Sequence, residues 1–354
     1  MVLGGFANLL KFRALTSVDV VNAEYFCREL VVTDPLLFSY SLDGSGGGAA
    51  LRDGEVAGLL KNGQLAWVHL NADHPDTAKW LRREVGYLND FVVNALLADE
   101  TRPRVLPLGE GVLLILRGVN LNDNASPEDM VSIRLWVDPH RIISLQRRKL
   151  KAVGDLAANI EAGQGPADSA AFITELVGLL FARMAPAVTT LGEEIDDIEE
   201  DILDGSTNTL REQIVSIRKK AIIFKRYMAP QRDLIMQLLE AKLDWFGQDN
   251  NHHLIEAHDN ITLFVEELDS VRERSQVISD EVTNILTERL NKNIYALSVV
   301  AAIFLPLGFL TGLLGINIGG IPGAENPQAF LVFCLLLALV VGLQILIFRK
   351  MRWF

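Results

Sequence analysis

Chemistry in this chain would have to come from three places: histidines at the start of a long helical stretch, a dense run of carboxylates, and a single carboxamide that closes an apolar segment. His252, His253 and His258 are three of its six histidines. His252 and Glu256 have the i, i+4 interval that stacks two side chains on one helix face; His253 and His258, five apart, do not. With no H-E-x-x-H or C-x-x-C pattern to supply further ligands, His252 and Glu256 read first as a solvated helix start and second as a metal site. Glu193, Glu194, Asp196, Asp197, Glu199, Glu200, Asp201 and Asp204 likewise read first as a solvated helical face and second as a surface that gathers cations. The carboxamide is Asn317, the last residue of Gly315-Ile316-Asn317. No G-x-S-x-G is present, neither Cys27 nor Cys334 has a catalytic setting, and the Asp43–Gly48 glycine loop is not followed by Lys-Ser or Lys-Thr. Hydrolase and P-loop chemistry are therefore not expected, and the chain does not read as an enzyme.

Charge divides the chain sharply. Residues 291–354 hold four basic groups (Lys292, Arg349, Lys350, Arg352) and one acid, Glu325. Taking these from 33 basic and 45 acidic groups leaves 29 and 44, a net charge of −15 for residues 1–290. Such a body repels nucleic acid and attracts cations, so nucleic acid is not an expected partner. Two cysteines cannot build a disulfide framework and suit a reducing compartment. Met1–Leu15 has no basic residue ahead of its apolar run and no cleavage-site pattern, which reads as no signal peptide.

Three regions must position the candidate residues. Residues 1–165 read as a mixed α/β domain, with strands at Phe38–Leu42, Leu65–Leu70, Val112–Val119, Val131–Val137 and Ile142–Leu145, and a helix starting near Pro75. The fourth of these alternates Val131, Ile133, Leu135, Val137 with Ser132, Arg134, Trp136. The Gly163–Pro166 turn marks a boundary. Residues 166–290 are then helical: an acidic helix ending near Asp204, a basic one starting near Thr209, and a stalk. Opposite charges on the first two predict a helical hairpin. No glycine or proline lies between Gly247 and Pro306, so a continuous helix there would be on the order of 85 Å long. Its stripe of Leu254, Ala257, Ile261, Phe264, Leu268 and Val271, continued by Ile278, Val282 and Ile285, needs a packing partner. An unbroken stalk could carry a cytoplasmic event into the segment beyond it.

Residues 291–354 are membrane-like. An uncharged helix over about 294–314 is long enough for a hydrocarbon core of about 30 Å, and a second runs over about 329–348. Arg289 and Lys292 flank the first and Arg349, Lys350 and Arg352 the second, while the 315–328 loop has Glu325 as its one charge. Basic outer flanks place both termini in the cytoplasm and the loop outside.

The first membrane helix has an uneven face. Asn291, Ile294, Ser298, Ala301, Leu305, Gly308 and Gly312 recur at three- and four-residue steps and lead to Gly315–Asn317. That face can line an ion path, which requires several copies because two helices cannot enclose a pore. It can equally be a small-residue packing face, which would make the chain a non-conducting, membrane-anchored coiled-coil scaffold.

Leu297–Asn317, LSVVAAIFLPLGFLTGLLGIN, resembles the first membrane helix of the CorA metal transporter superfamily, whose signature is Gly-Met-Asn. Ile316 in place of Met and the following Ile318–Gly323 resemble its ZntB zinc-transporting branch; Asp99-Glu-Thr-Arg-Pro103, the stalk and the basic tail fit the same layout. The resemblance implies a funnel-shaped homopentamer in the bacterial inner membrane, with an α/β cytoplasmic domain, long stalk helices and a two-helix transmembrane hairpin. Its pore would be lined by the first membrane helix and entered through a filter of Gly315, Ile316 and Asn317, with Glu325 at the external mouth. The cargo would be zinc taken up into the cytoplasm and stimulated by a proton gradient, with no cofactor. The alternative within the superfamily is a magnesium, cobalt or nickel channel gated by cytoplasmic metal. Since the candidate face has no Cys, His, Asp or Glu, zinc should not be held there by inner-sphere ligands, and discrimination against cobalt, nickel and cadmium should be loose. Nothing from Ile294 to Ala324 titrates near neutral pH, so a proton carrier would have to be Glu325, a cytoplasmic acid or a histidine.

Overall fold

A computed structural model describes residues 34–51, 56, 58, 63–99, 102–203, 210–315 and 326–350. Asp204, Ile316, Asn317 and Glu325 lie outside the described residues, as do Cys27, Glu100, Thr101 and Arg352. The chain divides into two compact units, Met1–Ile278 and Ser279–Phe354.

In the first unit β1 (Leu36–Leu42), β2 (Gly48–Ala50), β3 (Ala66–Asn71), β4 (Arg104–Leu108), β5 (Gly111–Gly118), β6 (Val131–Val137) and β7 (Arg141–Gln146) form one sheet ordered β2-β1-β3-β7-β6-β5-β4. β3 and β7 pair in parallel and the other neighbours antiparallel. Helices cover it on both sides. α1 (Thr77–Glu84) and α2 (Asp90–Leu97) close one face over Val68, Leu70, Ile143 and Leu145. α3 (Lys151–Glu161), α4 (Ser169–Leu203) and α5 (Leu210–Glu240) pack on the rest of the sheet and on one another. The alternation in β6 marks a strand correctly but gives no solvent face, since all seven residues are buried between the two helical layers. Gln231 of α5 bonds to the backbone of β5 from outside the sheet. Its side-chain Oε1 accepts from the Arg117 amide at 2.6 Å and its Nε2 donates to the Arg117 carbonyl at 3.1 Å, so both backbone polar groups of that residue are satisfied by one carboxamide.

α6 (Gln248–Leu314) starts directly after Gly247 and includes Pro306. Leu254, Ala257, Ile261, Leu268, Val271, Ile278 and Val282 of the expected stripe are buried, Val265 takes the place of Phe264, and Ser275 fills the gap with its hydroxyl bonded to the Val271 carbonyl. α7 (Ala329–Lys350) follows. An α/β domain, a long stalk helix and two apolar helices are thus present as expected.

The sheet's second face has a polar centre in an aromatic nest. His69 is fully buried with its ring 4.7 Å from Phe38, and Trp67 meets Phe172 edge-on at 4.9 Å. Ser144 Oγ lies 2.7 Å from His69 Nδ1 and accepts from Trp67 Nε1 at 2.7 Å, while His69 Nε2 has no partner among the described residues. Burial holds the imidazole neutral and pushes its pKa down to about 4. The folded value lies below the unfolded one, so its share of stability is complete above about pH 6.5 and is lost as pH falls toward 4. The loss should approach about 3 kcal/mol. Urea midpoints of the wild-type chain are expected to fall across that window, and His69→Gln should flatten the slope; an unchanged slope in the variant would assign it to other groups.

Candidate functional site

Among the described residues three helices are long and apolar enough to cross a membrane: Ser169–Ile202, Gln248–Leu314 and Ala329–Lys350. The first buries Phe172, Leu176, Leu180, Met184 and Ile195 within the first unit, so its apolar residues serve a protein core. α7 has no buried side chain, and on α6 Leu297, Phe304, Leu305 and Phe309 are all largely exposed. Long, uncharged and bare, the apolar spans 294–314 of α6 and 329–348 of α7 need lipid or further copies to cover them.

The seven candidates Asn291, Ile294, Ser298, Ala301, Leu305, Gly308 and Gly312 are all exposed. Over residues 291–314 the half-buried residues are Val299, Ala302, Ile303, Pro306, Leu307 and Leu310, and α7 presents a matching half-buried series at Phe333, Leu337, Val341, Gln344 and Phe348. Gln344 Nε2 donates to the Ala302 carbonyl at 3.3 Å, which places α7 against that seam and leaves the candidate face turned away from it. A Cβ added at Gly308 or Gly312 would meet nothing within 4 Å among the described residues. Ser298 returns its hydroxyl to the Ile294 carbonyl at 2.8 Å, so the face offers the Asn291 carboxamide, one bound hydroxyl and several small or apolar side chains. At its end Gly315 closes the helix with its amide 2.9 Å from the Thr311 carbonyl.

The carboxylate run is partly consumed inside the first unit. Arg274 of α6 donates from Nε to Glu199 at 2.9 Å and from Nη2 to Glu199 at 2.7 Å and Asp196 at 2.5 Å. These bonds, Glu199 first, hold the guanidinium proton above the usual arginine range. Lys220 of α5 spans both Glu194 oxygens at 3.1 Å. Glu193, Asp197, Glu200 and Asp201 are exposed and form no ion pair among the described residues. The expected acidic–basic hairpin is therefore a three-helix arrangement, because Lys225 of the basic helix turns to Asp269 of α6 at 2.5 Å. His252 and Glu256 are both exposed, and the described residues contain no group of three or more His, Cys, Asp or Glu placed to hold a metal. The pair has no third ligand among the described residues of its own chain.

The family model for the CorA-like Mg2+ transporter protein matches residues 62–350. This chain belongs to the CorA-like family. It is 40% identical over 321 residues to the divalent cation transporter CmaX of Pseudomonas aeruginosa, covering 90% of this chain and 96% of the relative. It is 36% identical over 315 residues to the zinc transport protein ZntB of Pectobacterium carotovorum, covering 89% and 95%. The solved full-length CmaX structure aligns with a TM-score of 0.79 at 38% identity over 91% of this chain and all of that one. The CorA magnesium transporter of Methanocaldococcus jannaschii aligns with a TM-score of 0.74 at 17% identity, over 92% of this chain and all of that one, which speaks for the fold alone.

Two features of this CorA-like chain escape a reading of residue types. The Asp99–Pro103 segment is clamped at its start by arginines: Arg134, fully buried, donates to the Ala98 carbonyl at 2.9 Å, and Arg147 reaches the Leu97 carbonyl at 2.9 Å and Asp99 at 2.6 Å and also pairs with Asp73. Burial, then the charges of Arg147 and Arg117, bring the Arg134 pKa down to about 10. The second feature is Gln344, a polar residue inside α7; the signal that could have found it is a lone carboxamide in an apolar span facing a helix interrupted by Pro306.

Proposed function

We propose that the chain carries divalent cations, zinc foremost, into the cytoplasm through an axial path lined by α6 of several copies and entered at Gly315, Ile316 and Asn317. The observation that carries this reading is the α6 face of Ile294, Ser298, Ala301, Leu305, Gly308 and Gly312, exposed and turned away from the chain's own α7. A face of small and neutral residues suits a cation that keeps its water, since full dehydration of a divalent ion demands charged or closely fitted oxygens. The name of the ZntB relative points to zinc and that of CmaX to divalent cations in general. The assembly is a homopentamer in the bacterial inner membrane with both termini cytoplasmic, Glu325 at the outer mouth, and the exposed acids Glu193, Asp197, Glu200 and Asp201 drawing cations at the cytoplasmic surface.

Purified protein in liposomes is expected to take up radioactive zinc, faster with an inward proton gradient, with little flux of magnesium. A second reading, a magnesium, cobalt or nickel channel gated by cytoplasmic metal, is supported by the description of the family model. Magnesium flux exceeding zinc flux in the same liposomes favours that reading, and absence of any metal flux leaves the scaffold.

A further inference from the structure

Pro306 has no amide hydrogen, so the carbonyl four residues earlier, that of Ala302, loses its helical donor. In water that carbonyl would be solvated. In a lipid-facing helix it must find a partner within the protein, and that partner is Gln344 Nε2, 3.3 Å away on α7. The Gln344 carboxamide is the polar group of a span otherwise built from Ala, Val, Leu, Ile, Phe, Gly and Cys between Ala329 and Phe348. Its Oε1 is buried and has no partner among the described residues, so the side chain is placed for its donor at the cost of its acceptor. We propose that Gln344 is a positioning residue for transport: it replaces the hydrogen bond that Pro306 removes and thereby fixes the course of α6 and the direction of the Ser298–Gly312 face. The coupling to transport rests on the reading of that face as the ion path; the hydrogen-bond replacement does not.

The test is a double-mutant cycle on the full-length protein with Gln344→Leu, Pro306→Ala and the double variant. Alanine at 306 restores an amide to the Ala302 carbonyl and makes Gln344 redundant. With Pro306 in place, Gln344→Leu is expected to lower the melting temperature in detergent and to cut maximal zinc flux by about tenfold, with the zinc concentration for half-maximal flux unchanged. In the Pro306→Ala background the same substitution should leave melting and flux nearly unaltered. Equal losses in both backgrounds, or none with Pro306 present, overturn the proposal. A shift in half-saturation with maximal flux preserved also overturns it, because Gln344 would then be meeting the ion. If Gln344→Leu alone does not fold, recovery of folded protein in the double variant supports the clasp and continued failure removes it. A wild-type protein that passes no cation defeats the transport reading, while the melting cycle still decides the hydrogen bond.

Discussion

Replacing Asn317 by alanine is expected to reduce zinc uptake into liposomes by roughly a hundredfold or more while the oligomer remains assembled. A hydrogen bond or dipole interaction with a charged partner contributes about 1.5–3 kcal/mol, and a substitution in a symmetric assembly removes the carboxamide from every copy at once. Removing two such interactions with the ion's hydration shell accounts for about 3 kcal/mol, or about a hundredfold in rate. Alanine offers nothing in exchange, and the α6 face behind the mouth has no Cys, His, Asp or Glu that could take over. Asn317→Asp should behave differently: it keeps the oxygens but adds a charge to each copy, so ions should bind more tightly and leave more slowly, lowering maximal flux and the half-saturating concentration together. Unchanged uptake by the alanine variant would falsify the filter assignment.

The parts of the molecule that can be read from residue types are those whose apolar residues run unbroken or recur at a regular spacing. β3, β5, β6 and β7 are apolar or alternating runs bounded by turns, and the stalk stripe of α6 differs from expectation at Phe264, where Val265 is the buried residue, and at Ile285, which is only half-buried. β4 is hidden by Pro107, which argues against a strand; it is tolerated because β4 is the edge of the sheet and has an unpaired side. β2 is hidden in its glycines, yet Gly48 is required there, since a Cβ would come within 2.6 Å of the Ile160 side chain on α3. Pairings distant in sequence leave no trace at all. That Asp196 and Glu199 answer Arg274, while Lys225 answers Asp269, depends on how α4, α5 and α6 are rotated against one another, and charge counting alone assigns those acids to solvent. The same holds for the membrane unit. The candidate face of α6 can be read from its spacing, but its orientation away from α7 is visible only through the half-buried seam between the two helices and the Gln344 bond to Ala302.

Gly312→Leu is expected to stop flux without loosening the two-helix unit, and it separates the transporter from the scaffold. A Cβ at 312 meets nothing within 4 Å among the described residues of its own chain, and leucine favours helix over glycine by roughly 0.5–1 kcal/mol, so neither crowding at Cβ nor propensity penalises the isolated chain. Whatever the substitution disturbs must therefore lie beyond the chain. If Gly308 and Gly312 line an axial path, the isobutyl groups of every copy converge on it: zinc flux should fall below about a tenth of wild type while the oligomer keeps its mass in detergent. If the same glycines are a dry contact between copies, the backbones can no longer approach and the oligomer itself should come apart. Leu313→Phe is the control. Its position is about 100° around the helix on an already exposed, apolar side, and the substitution should leave both mass and flux near wild type. Intact mass with lost flux at 312, beside an unaffected 313, is the combination that only an ion path on this face explains; dissociation at 312 would return the face to packing and move the path elsewhere.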